Sequence, residues 1–235
     1  MKHNACPEAF PRWEGPLSHP FYSLVVKRAL DLLFALILLV PALLLMAPVA
    51  VWVKRDSPGT VFYRAPRGGY HNKPFYILKF RTMAADADKT GGCTAKDDPR
   101  VTRAGRFLRK VKLDEIPQIL NILKGDMSFI GPRPELLLYT SRYTPEQECI
   151  LWVRPGISDD ASIAFIRQDE IVGQEDPVAN YERLILNEKN AMRVRYAKSQ
   201  CFTGDVKLFI KTLAGVFGKF RRAVEGDEAN AVDNL

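Results

Sequence analysis

An uncharged stretch near the N-terminus constrains this chain more than any other feature. Residues 32–53, LLFALILLVPALLLMAPVAVWV, form a run of 22 residues without a charge. A straight helix of that length would reach about 33 Å, which is enough to cross the hydrocarbon core of a bilayer. A single transmembrane helix is therefore the first interpretation of this segment.

Two features favour a hairpin that enters the membrane and returns. Pro41 lies near the middle of the run and Pro48 follows it, so the sequence predicts a kink or break inside the apolar segment. Basic pairs flank the run at positions 27–28 and 54–55, which suits two ends that share the cytoplasmic face. Proline also occurs in true spans, so the residues alone leave both topologies open.

A second informative stretch covers residues 110–135, KVKLDEIPQILNILKGDMSFIGPRPE. Asp114 and Glu115 are adjacent, Pro117 follows, and apolar residues then recur at helical spacing. The pattern predicts a helix that begins near residue 113 or 114 and ends at residues 124–125, with Gly125 as its C-terminal cap. Both carboxylates would then lie at the positive end of the helix, where a phosphate is also favoured.

The Gly-Pro-Arg-Pro sequence at residues 131–134 holds Arg133 between two prolines. Pro134 disfavours helical backbone at Arg133, so the guanidinium is held in place by an extended connection. Each feature taken singly is also common in structural roles, since acidic pairs cap helices and prolines stiffen loops. Together, two acids, a helix N-terminus and a braced arginine suit metal-assisted phosphoryl chemistry.

The order of these blocks resembles the bacterial sugar transferase family, the monotopic polyprenol-phosphate phosphoglycosyl transferases. The similarity covers roughly residues 27–156. It is carried by Leu-Asp-Glu-Ile-Pro-Gln at 113–118, Lys-Gly-Asp-Met-Ser at 124–128, Gly-Pro-Arg-Pro at 131–134, Lys-Phe-Arg-Thr-Met at 79–83 and Arg-Pro-Gly-Ile at 154–157. The resemblance implies transfer of a sugar-1-phosphate from a UDP-sugar to a polyprenol phosphate such as undecaprenyl phosphate, with release of UMP. That reaction would be the first membrane step of glycoconjugate or surface polysaccharide assembly.

The resemblance also implies a role for each matching residue. Asp114 would be the nucleophile that forms a covalent phosphosugar-aspartate, and Glu115 would help to hold Mg²⁺, with Asp114 in the same metal site. The phosphate oxygens would be bound by four arginines, Arg133, Arg109, Arg81 and Arg154. Family members carry a helix–break–helix that enters one leaflet, and Pro41 would mark the break.

Two departures from the family pattern limit what the resemblance carries over. The family usually has Ser-Pro at the break, whereas this chain has valine at position 40 before Pro41. Valine offers no hydroxyl to a backbone group freed by the proline, so the depth of the hairpin stays open. Residues 158–163 read Ser-Asp-Asp-Ala-Ser-Ile and resemble a smaller branch of the family, so the sugar is not specified.

The balance of charge points to an anionic partner. The net charge is +7, with a sequence pI of about 9.2, which suits a phosphorylated substrate, an acidic lipid surface or nucleic acid. A basic stripe recurs at positions 100, 103, 106, 109 and 110. It lacks interleaved aromatic residues and adjoins the Asp-Glu pair, which disfavours nucleic acid. The four cysteines are scattered and the three histidines are isolated, so neither zinc nor a disulfide framework is indicated.

The remaining segments predict a small, mainly helical domain. Two β-rich runs at 60–63 and 74–80 suggest a hairpin, and residues 84–100 suggest a polar loop. Helical patterns cover residues 136–151, 177–198 and 206–220. The last of these suits either a helix that lies on an anionic membrane or a packed helix with a solvated basic face.

The sequence and the family resemblance together predict an α+β, mainly helical protein at the cytoplasmic face of a bacterial inner membrane. Its predicted parts are a flexible leader (1–22), a re-entrant membrane hairpin (23–56), a phosphoglycosyl transferase domain with a short β-hairpin (57–223) and an acidic tail (224–235). UDP-sugar, polyprenol phosphate and membrane lipid are the expected partners, and Mg²⁺ is the expected cofactor. The alternative is a non-catalytic membrane-surface protein that binds acidic lipids through the basic stripe. The sequence does not indicate an oligomeric state.

Overall fold

The computed structural model describes residues 19–84, 98–166, 168–173 and 175–215. Most of the predicted leader, most of the predicted polar loop and the whole predicted acidic tail lie outside these residues. Within the described residues the protein is mainly helical, with two short two-stranded sheets and one long apolar helix near the N-terminus. The predicted α+β, mainly helical class is confirmed at this level, and the predicted domain boundaries stay a prediction.

The long helix forms over the apolar run. A wider π-helical turn, Tyr22–Val26, leads into helix α1, Lys27–Asp56, which continues through both Pro41 and Pro48. Each proline leaves the carbonyl four residues earlier without its usual amide partner, but the helical path is not interrupted. The helix is long and apolar enough to cross a membrane. The re-entrant topology predicted from Pro41 stays a prediction.

One face of α1 packs on the rest of the protein along the length of the helix. Residues at three-, four- and seven-residue spacing are buried on this face: Ala35, Ala42, Met46, Val49 and Val53. They contact a core that includes Phe80, Leu108 and Ile122. The opposite face exposes leucine, isoleucine, valine and phenylalanine side chains. The helix is therefore a core element on one side and an apolar surface on the other.

A β-hairpin follows the long helix. Strands β1 (Phe62–Arg67) and β2 (Phe75–Phe80) pair antiparallel, with Phe62 opposite Phe80. The predicted hairpin is confirmed, although β1 extends further along the chain than the pattern suggested. A proline at position 66 is tolerated because a two-stranded sheet leaves edge positions that donate no ladder hydrogen bond.

Two short helices flank the acidic pair. Helix α2, Arg103–Val111, begins where the Thr102 hydroxyl accepts a hydrogen bond from the Gly105 amide. A 3₁₀ turn, Leu113–Glu115, separates it from α3, Gln118–Lys124, which ends at Gly125 with φ of 99°. The predicted C-terminal cap is confirmed. The acidic pair, however, lies in its own turn before α3 and not in the first turn of that helix.

Two segments that are distant in sequence form a small parallel sheet that the sequence did not predict. Strands β3 (Ser128–Ile130) and β4 (Gly156–Ser158) pair side by side.

The predicted helix over 136–151 is wrong in its extent. Only α4, Leu137–Thr140, and a 3₁₀ turn, Gln147–Trp152, form there. Pro145 disfavours helical backbone at the residue before it, which explains the interruption.

The C-terminal third is helical. The helix predicted over 177–198 is confirmed as a continuous helical run. The helix predicted over 206–220 begins earlier, at residue 202, and the structure describes it to residue 215. We name this last helix α9. The elements are α5 (Asp160–Ala164), α6 (Gln168–Val172), α7 (Pro177–Tyr181), a π-helical turn (Glu182–Leu186), α8 (Asn187–Ser199) and α9 (202–215). Phe209 of α9 stacks on Phe34 of α1, with 6.5 Å between ring centroids.

Candidate active site

Asp114 lies in the 3₁₀ turn between α2 and α3 and is 7% exposed. One of its carboxylate oxygens, Oδ1, is buried and has no hydrogen-bond partner among the described residues. Burial and the neighbouring charge of Glu115 raise the pKa of Asp114 above its usual value. A buried carboxylate oxygen without a protein donor is poorly stabilised, which favours its reaction with an incoming electrophile.

Glu115 lies beside Asp114 in a very different environment. Lys79 Nζ donates to Glu115 Oε1 at 2.9 Å, and the Arg133 guanidinium donates to both carboxylate oxygens, with 3.2 Å between Nη1 and Oε2. Burial alone would raise the pKa of Glu115, but Arg133 and Lys79 outweigh burial and hold this pKa well below its usual range. Two adjacent carboxylates are thus pushed in opposite directions, as expected where they have different roles.

Arg133 is fixed by its backbone as well as by Glu115. Its amide donates to Asp159 Oδ2 at 2.8 Å, and its Nη1 also donates to the Ile157 carbonyl at 2.7 Å. The loop around it is joined to β4, because the Gly131 amide donates to the carbonyl of residue 158 at 3.0 Å. The guanidinium is therefore held beside Glu115 by several independent contacts.

A buried arginine supports this loop from α8. Arg193 is 2% exposed, donates from Nε to Asp159 Oδ2 at 3.1 Å and from Nη1 to Glu135 Oε1 at 2.7 Å. The Tyr181 hydroxyl donates to the same Glu135 oxygen at 2.6 Å. Arg193 thus holds the loop at both ends, through Asp159 behind Arg133 and through Glu135 after Pro134.

The sequence analysis missed Asp159, Glu135 and Arg193 as site-supporting residues. The departure at residues 158–163 and the acid directly after Gly-Pro-Arg-Pro were visible signals for the first two. Arg193 gave no local signal, because it lies within an ordinary amphipathic helical pattern.

The other three arginines that were predicted to bind phosphate differ in the groups that they contact. Arg109, near the end of α2, donates from Nε to Thr82 Oγ1 at 2.8 Å, and its charge acts on Asp114. Arg81 donates to the backbone carbonyls of Pro58, Ser57 (2.7 Å) and Val53 (3.4 Å), so it holds the exit from α1.

Arg154 lies at the opposite end of α3 from the acidic pair. Its Nε donates to the Gly125 carbonyl at 3.3 Å, and its guanidinium lies over the Tyr70 ring, 4.8 Å from the centroid. The structure therefore brings Arg133 and Arg109 to the acidic pair and places Arg154 elsewhere. Phosphate binding by any of these arginines stays a prediction.

Asp114 is the residue of the acidic pair that has a carboxylate oxygen available for Mg²⁺. No group of three or more histidine, cysteine, aspartate or glutamate side chains that could hold a metal occurs in the part of the chain that the structure describes. Mg²⁺ commonly takes only one or two carboxylates together with substrate phosphates, so Asp114 fits such a site. The unpartnered oxygen of Asp114 is the available ligand, whereas both oxygens of Glu115 already accept from Lys79 or Arg133.

Comparison with known proteins identifies the family. Residues 22–219 match the model of the family described as bacterial sugar transferase. This chain belongs to the bacterial sugar transferase family. The match includes the long helix, the acidic pair and the loop around Arg133, so the family predicted from the sequence motifs is confirmed.

Several relatives of this chain have names that include undecaprenyl phosphate and the transfer of a sugar phosphate. The chain is 46% identical over 124 residues to the putative undecaprenyl-phosphate N-acetylgalactosaminyl 1-phosphate transferase of Bacillus subtilis. The aligned residues cover 52% of this chain and 69% of that protein. The chain is 36% identical over 193 residues to the UDP-glucose:undecaprenyl-phosphate glucose-1-phosphate transferase of Caulobacter vibrioides, covering 80% of this chain and 68% of that protein.

Some bacterial sugar transferase relatives are much longer than this chain. The UDP-N-acetylgalactosamine-undecaprenyl-phosphate N-acetylgalactosaminephosphotransferase of Aeromonas hydrophila is 42% identical over 151 residues, which cover 63% of this chain but only 36% of that protein. The relatives also differ in the sugar that their names give, glucose in one and N-acetylgalactosamine in two. Family membership therefore does not specify the sugar.

Proposed function

We propose that this protein transfers a sugar-1-phosphate from a UDP-sugar to a polyprenol phosphate and releases UMP. The observation that carries the proposal is the pairing of Asp114, which has a buried and unpartnered carboxylate oxygen, with Glu115, which is neutralised by two cations. The names of the relatives in Bacillus subtilis and Caulobacter vibrioides support undecaprenyl phosphate as the acceptor.

The proposed chemistry has two steps. Asp114 attacks the β-phosphorus of the UDP-sugar, the bond from that phosphorus to the bridging oxygen breaks, and UMP leaves with the electron pair. An oxygen of the polyprenol phosphate then attacks the same phosphorus and releases the Asp114 carboxylate. The raised pKa of Asp114 makes its ionised form a stronger nucleophile than an ordinary aspartate.

Neighbouring cations orient the phosphates in this scheme. Lys79 and Arg133 are held beside Asp114 by their contacts with Glu115, and a diphosphate that enters there would take over some of these contacts. A guanidinium can donate to two phosphate oxygens at once, which fixes the in-line geometry better than an ammonium does. Bound Mg²⁺, which Asp114 would hold through its unpartnered oxygen, would neutralise further charge on the diphosphate.

We also propose that α1 is re-entrant and that both of its ends lie at the cytoplasmic face. Residues at the start of α1 contact the folded domain, since Lys27 Nζ lies 2.6 Å from Asp205 Oδ2 and Arg28 donates to the carbonyl of residue 122 at 2.8 Å. The end of α1 contacts the same domain through Arg81. A helix that crossed a bilayer would place its ends on opposite faces, whereas both ends of α1 contact one folded domain, and this supports placing both ends at the same face.

The apolar surface supports membrane attachment. The exposed face of α1 is continued by α9 at Phe209 and by α2 at Phe107, whose ring lies 5.4 Å from that of Trp52. An exposed apolar surface of this kind is typical of contact with lipid. Because UDP-sugars are cytoplasmic, we place the active site at the cytoplasmic surface of the inner membrane.

The experiment that tests the function is a panel of UDP-sugars with undecaprenyl phosphate, scored for UMP release. We expect release with at least one donor by the purified protein and none by Asp114→Asn. Glu146→Gln, which changes an exposed carboxylate paired with Lys198, is the matched control and retains activity. A wild-type protein that binds anionic vesicles but releases no UMP from any donor would instead favour the non-catalytic membrane-surface protein.

A further inference from the structure

Lys112 occupies a backbone conformation that is unfavourable for a side chain. It joins the end of α2 to the 3₁₀ turn that carries the acidic pair, with φ of 63° and ψ of 18°. This left-handed conformation at the end of a helix is the one in which glycine is usually found. The Lys112 side chain is exposed, so it contributes nothing to the core that would offset the strain.

The ammonium group of Lys112 has no hydrogen bond or ion pair to any of the residues that the structure describes. It is nevertheless close enough to the acidic pair for its charge to lower the pKa of Asp114 and the pKa of Glu115. Lys112 therefore places a positive charge beside two buried carboxylates, from a strained backbone position and without a hydrogen-bond or ion-pair partner among the described residues.

The other cations that act on Asp114 already have partners. Lys79 is paired with Glu115, and the Arg109 guanidinium donates to the Thr82 hydroxyl. A phosphate that binds to either of them must compete with an existing contact, whereas Lys112 has none to give up within the described part of the chain. An exposed, flexible lysine can also follow the phosphate as its position changes during a reaction.

We propose that Lys112 binds the phosphate group that enters beside Asp114 and so determines the affinity of the enzyme for its phosphate substrates. The proposal rests on the proposed function. Its ligand chemistry is a phosphate ester, which either the diphosphate of the UDP-sugar or the phosphate of the polyprenol supplies. Glycine would suit the backbone better at this position, so the lysine side chain is present here at a cost in backbone strain.

Substitutions at Lys112 separate the backbone strain from the charge. Lys112→Gly relieves the strain, and we expect the midpoint of thermal unfolding to rise by about 2–4 °C. The same change removes the charge, and we expect KM for the phosphate substrate to rise about fivefold at low salt, with kcat within about twofold. Lys112→Asn, which also tolerates this backbone, gives the same kinetic loss, and Lys112→Arg restores the wild-type KM.

A matched control is Lys73→Asn, because Lys73 is also exposed but follows the turn at Tyr70–Asn72 and is not among the charges that act on the acidic pair. Its KM values stay at the wild-type level.

Two assays identify the source of the phosphate. Adduct formation with UDP-sugar alone reports on the donor, and the reaction of preformed adduct with undecaprenyl phosphate reports on the acceptor. A rise in KM in either assay supports the proposal.

Wild-type KM values in both assays for Lys112→Gly and Lys112→Asn would overturn the proposal while leaving the proposed function intact. Failure of the proposed function itself would appear as a wild-type protein that neither forms an adduct nor releases UMP. Calorimetric binding of UDP needs no turnover and tests Lys112 in that case as well. We expect the Kd for UDP to rise about fivefold in Lys112→Gly, and an unchanged Kd together with unchanged KM values refutes the assignment.

Discussion

Lys27 Nζ lies 2.6 Å from Asp205 Oδ2, although 178 positions separate the two residues in the chain. Both side chains are buried, and the hydroxyls of Tyr22 and Tyr196 also donate to the Asp205 carboxylate, at 2.6 Å and 2.7 Å. A buried ion pair with its remaining acceptor sites filled is expensive to break. The start of α1 is therefore anchored to α9.

This anchor leads to a prediction about topology. In a variant that lacks the native cysteines, single cysteines at positions 20 and 57 should both resist an impermeant maleimide applied outside intact cells. Both should label after permeabilisation, because the anchors at the two ends of α1 keep them at the cytoplasmic face. Labelling of position 20 from outside would establish a transmembrane helix.

Pro41→Leu is expected to move the segment toward a full span. Leucine restores the amide that proline lacks, so a continuous helix can satisfy its own backbone in lipid. The fraction of molecules with position 20 accessible from outside should increase, as measured by the same labelling. The same cysteine at position 20 in a protein that keeps Pro41 provides the baseline. An unchanged labelled fraction would contradict a topological role for Pro41.

Asp114→Asn is expected to abolish covalent chemistry without loss of folding. An amide is not a nucleophile of comparable strength, and the loss should exceed about a thousandfold in UMP release. Mass spectrometry of the wild-type protein with UDP-sugar and Mg²⁺ but without acceptor should show a sugar-phosphate adduct on the peptide that contains Asp114. Intersecting double-reciprocal plots without any adduct would mean direct transfer and would reject the two-step scheme.

Arg133→Lys should be far more damaging than Arg142→Lys. Arg133 donates to Glu115 and to the Ile157 carbonyl, a geometry that an ammonium cannot reproduce. The loss of one strong phosphate donor is worth about 3 kcal/mol, or roughly a hundredfold in kcat. Arg142 is exposed, and its nearest acid, Glu182, is 3.9 Å away, so its replacement leaves kcat unchanged. Equally mild losses at the two positions would make Arg133 a structural residue only.

The acid limb of the pH–rate profile should report on Asp114. Burial and Glu115 raise the pKa of Asp114, so the ionised nucleophile is lost at a higher pH than for an ordinary aspartate. Lys79 opposes this rise, and Lys79→Met should therefore shift the limb to still higher pH, whereas Lys79→Arg should not. The burst of UMP release, measured between about pH 4 and about pH 8, tests this shift.

Circular dichroism at each pH separates this shift from unfolding. The depressed pKa of Glu115 means that its contribution to stability is complete above the pKa of the unfolded chain and is lost as pH falls through the folded pKa. The rate should therefore fall while the fold is still intact. A limb that coincides with loss of the helical signal would not be a titration of Asp114.

Arg193→Met is expected to destabilise the protein by about 3 kcal/mol or more, because it leaves the buried carboxylates of Asp159 and Glu135 without their cation. The matched change Lys198→Met removes an exposed partner of Glu146 and should cost less than about 1 kcal/mol. Denaturant unfolding in detergent gives both values. Similar small losses would mean that Arg193 does not hold the loop around Arg133.

The features that the sequence determined by itself depend on signals that act within a few residues. The apolar run at 32–53 specified the long helix, Gly125 ended α3, and alternating β-formers specified the hairpin. Adjacent acids and the Gly-Pro-Arg-Pro block identified the candidate site and the family. Proline, glycine and hydrophobic period report on local backbone preference, so these predictions needed no knowledge of the rest of the chain.

The tertiary structure decided which of these pieces meet. The parallel pairing of β3 with β4, the contact of Arg193 with Asp159, and the position of Arg154 at the far end of α3 join segments that no local pattern relates. Whether an arginine faces a phosphate site or a backbone carbonyl depends on what lies opposite it after folding. Charged side chains are buried only where a partner arrives from elsewhere in the chain, and that partner is selected by the packing of the whole domain.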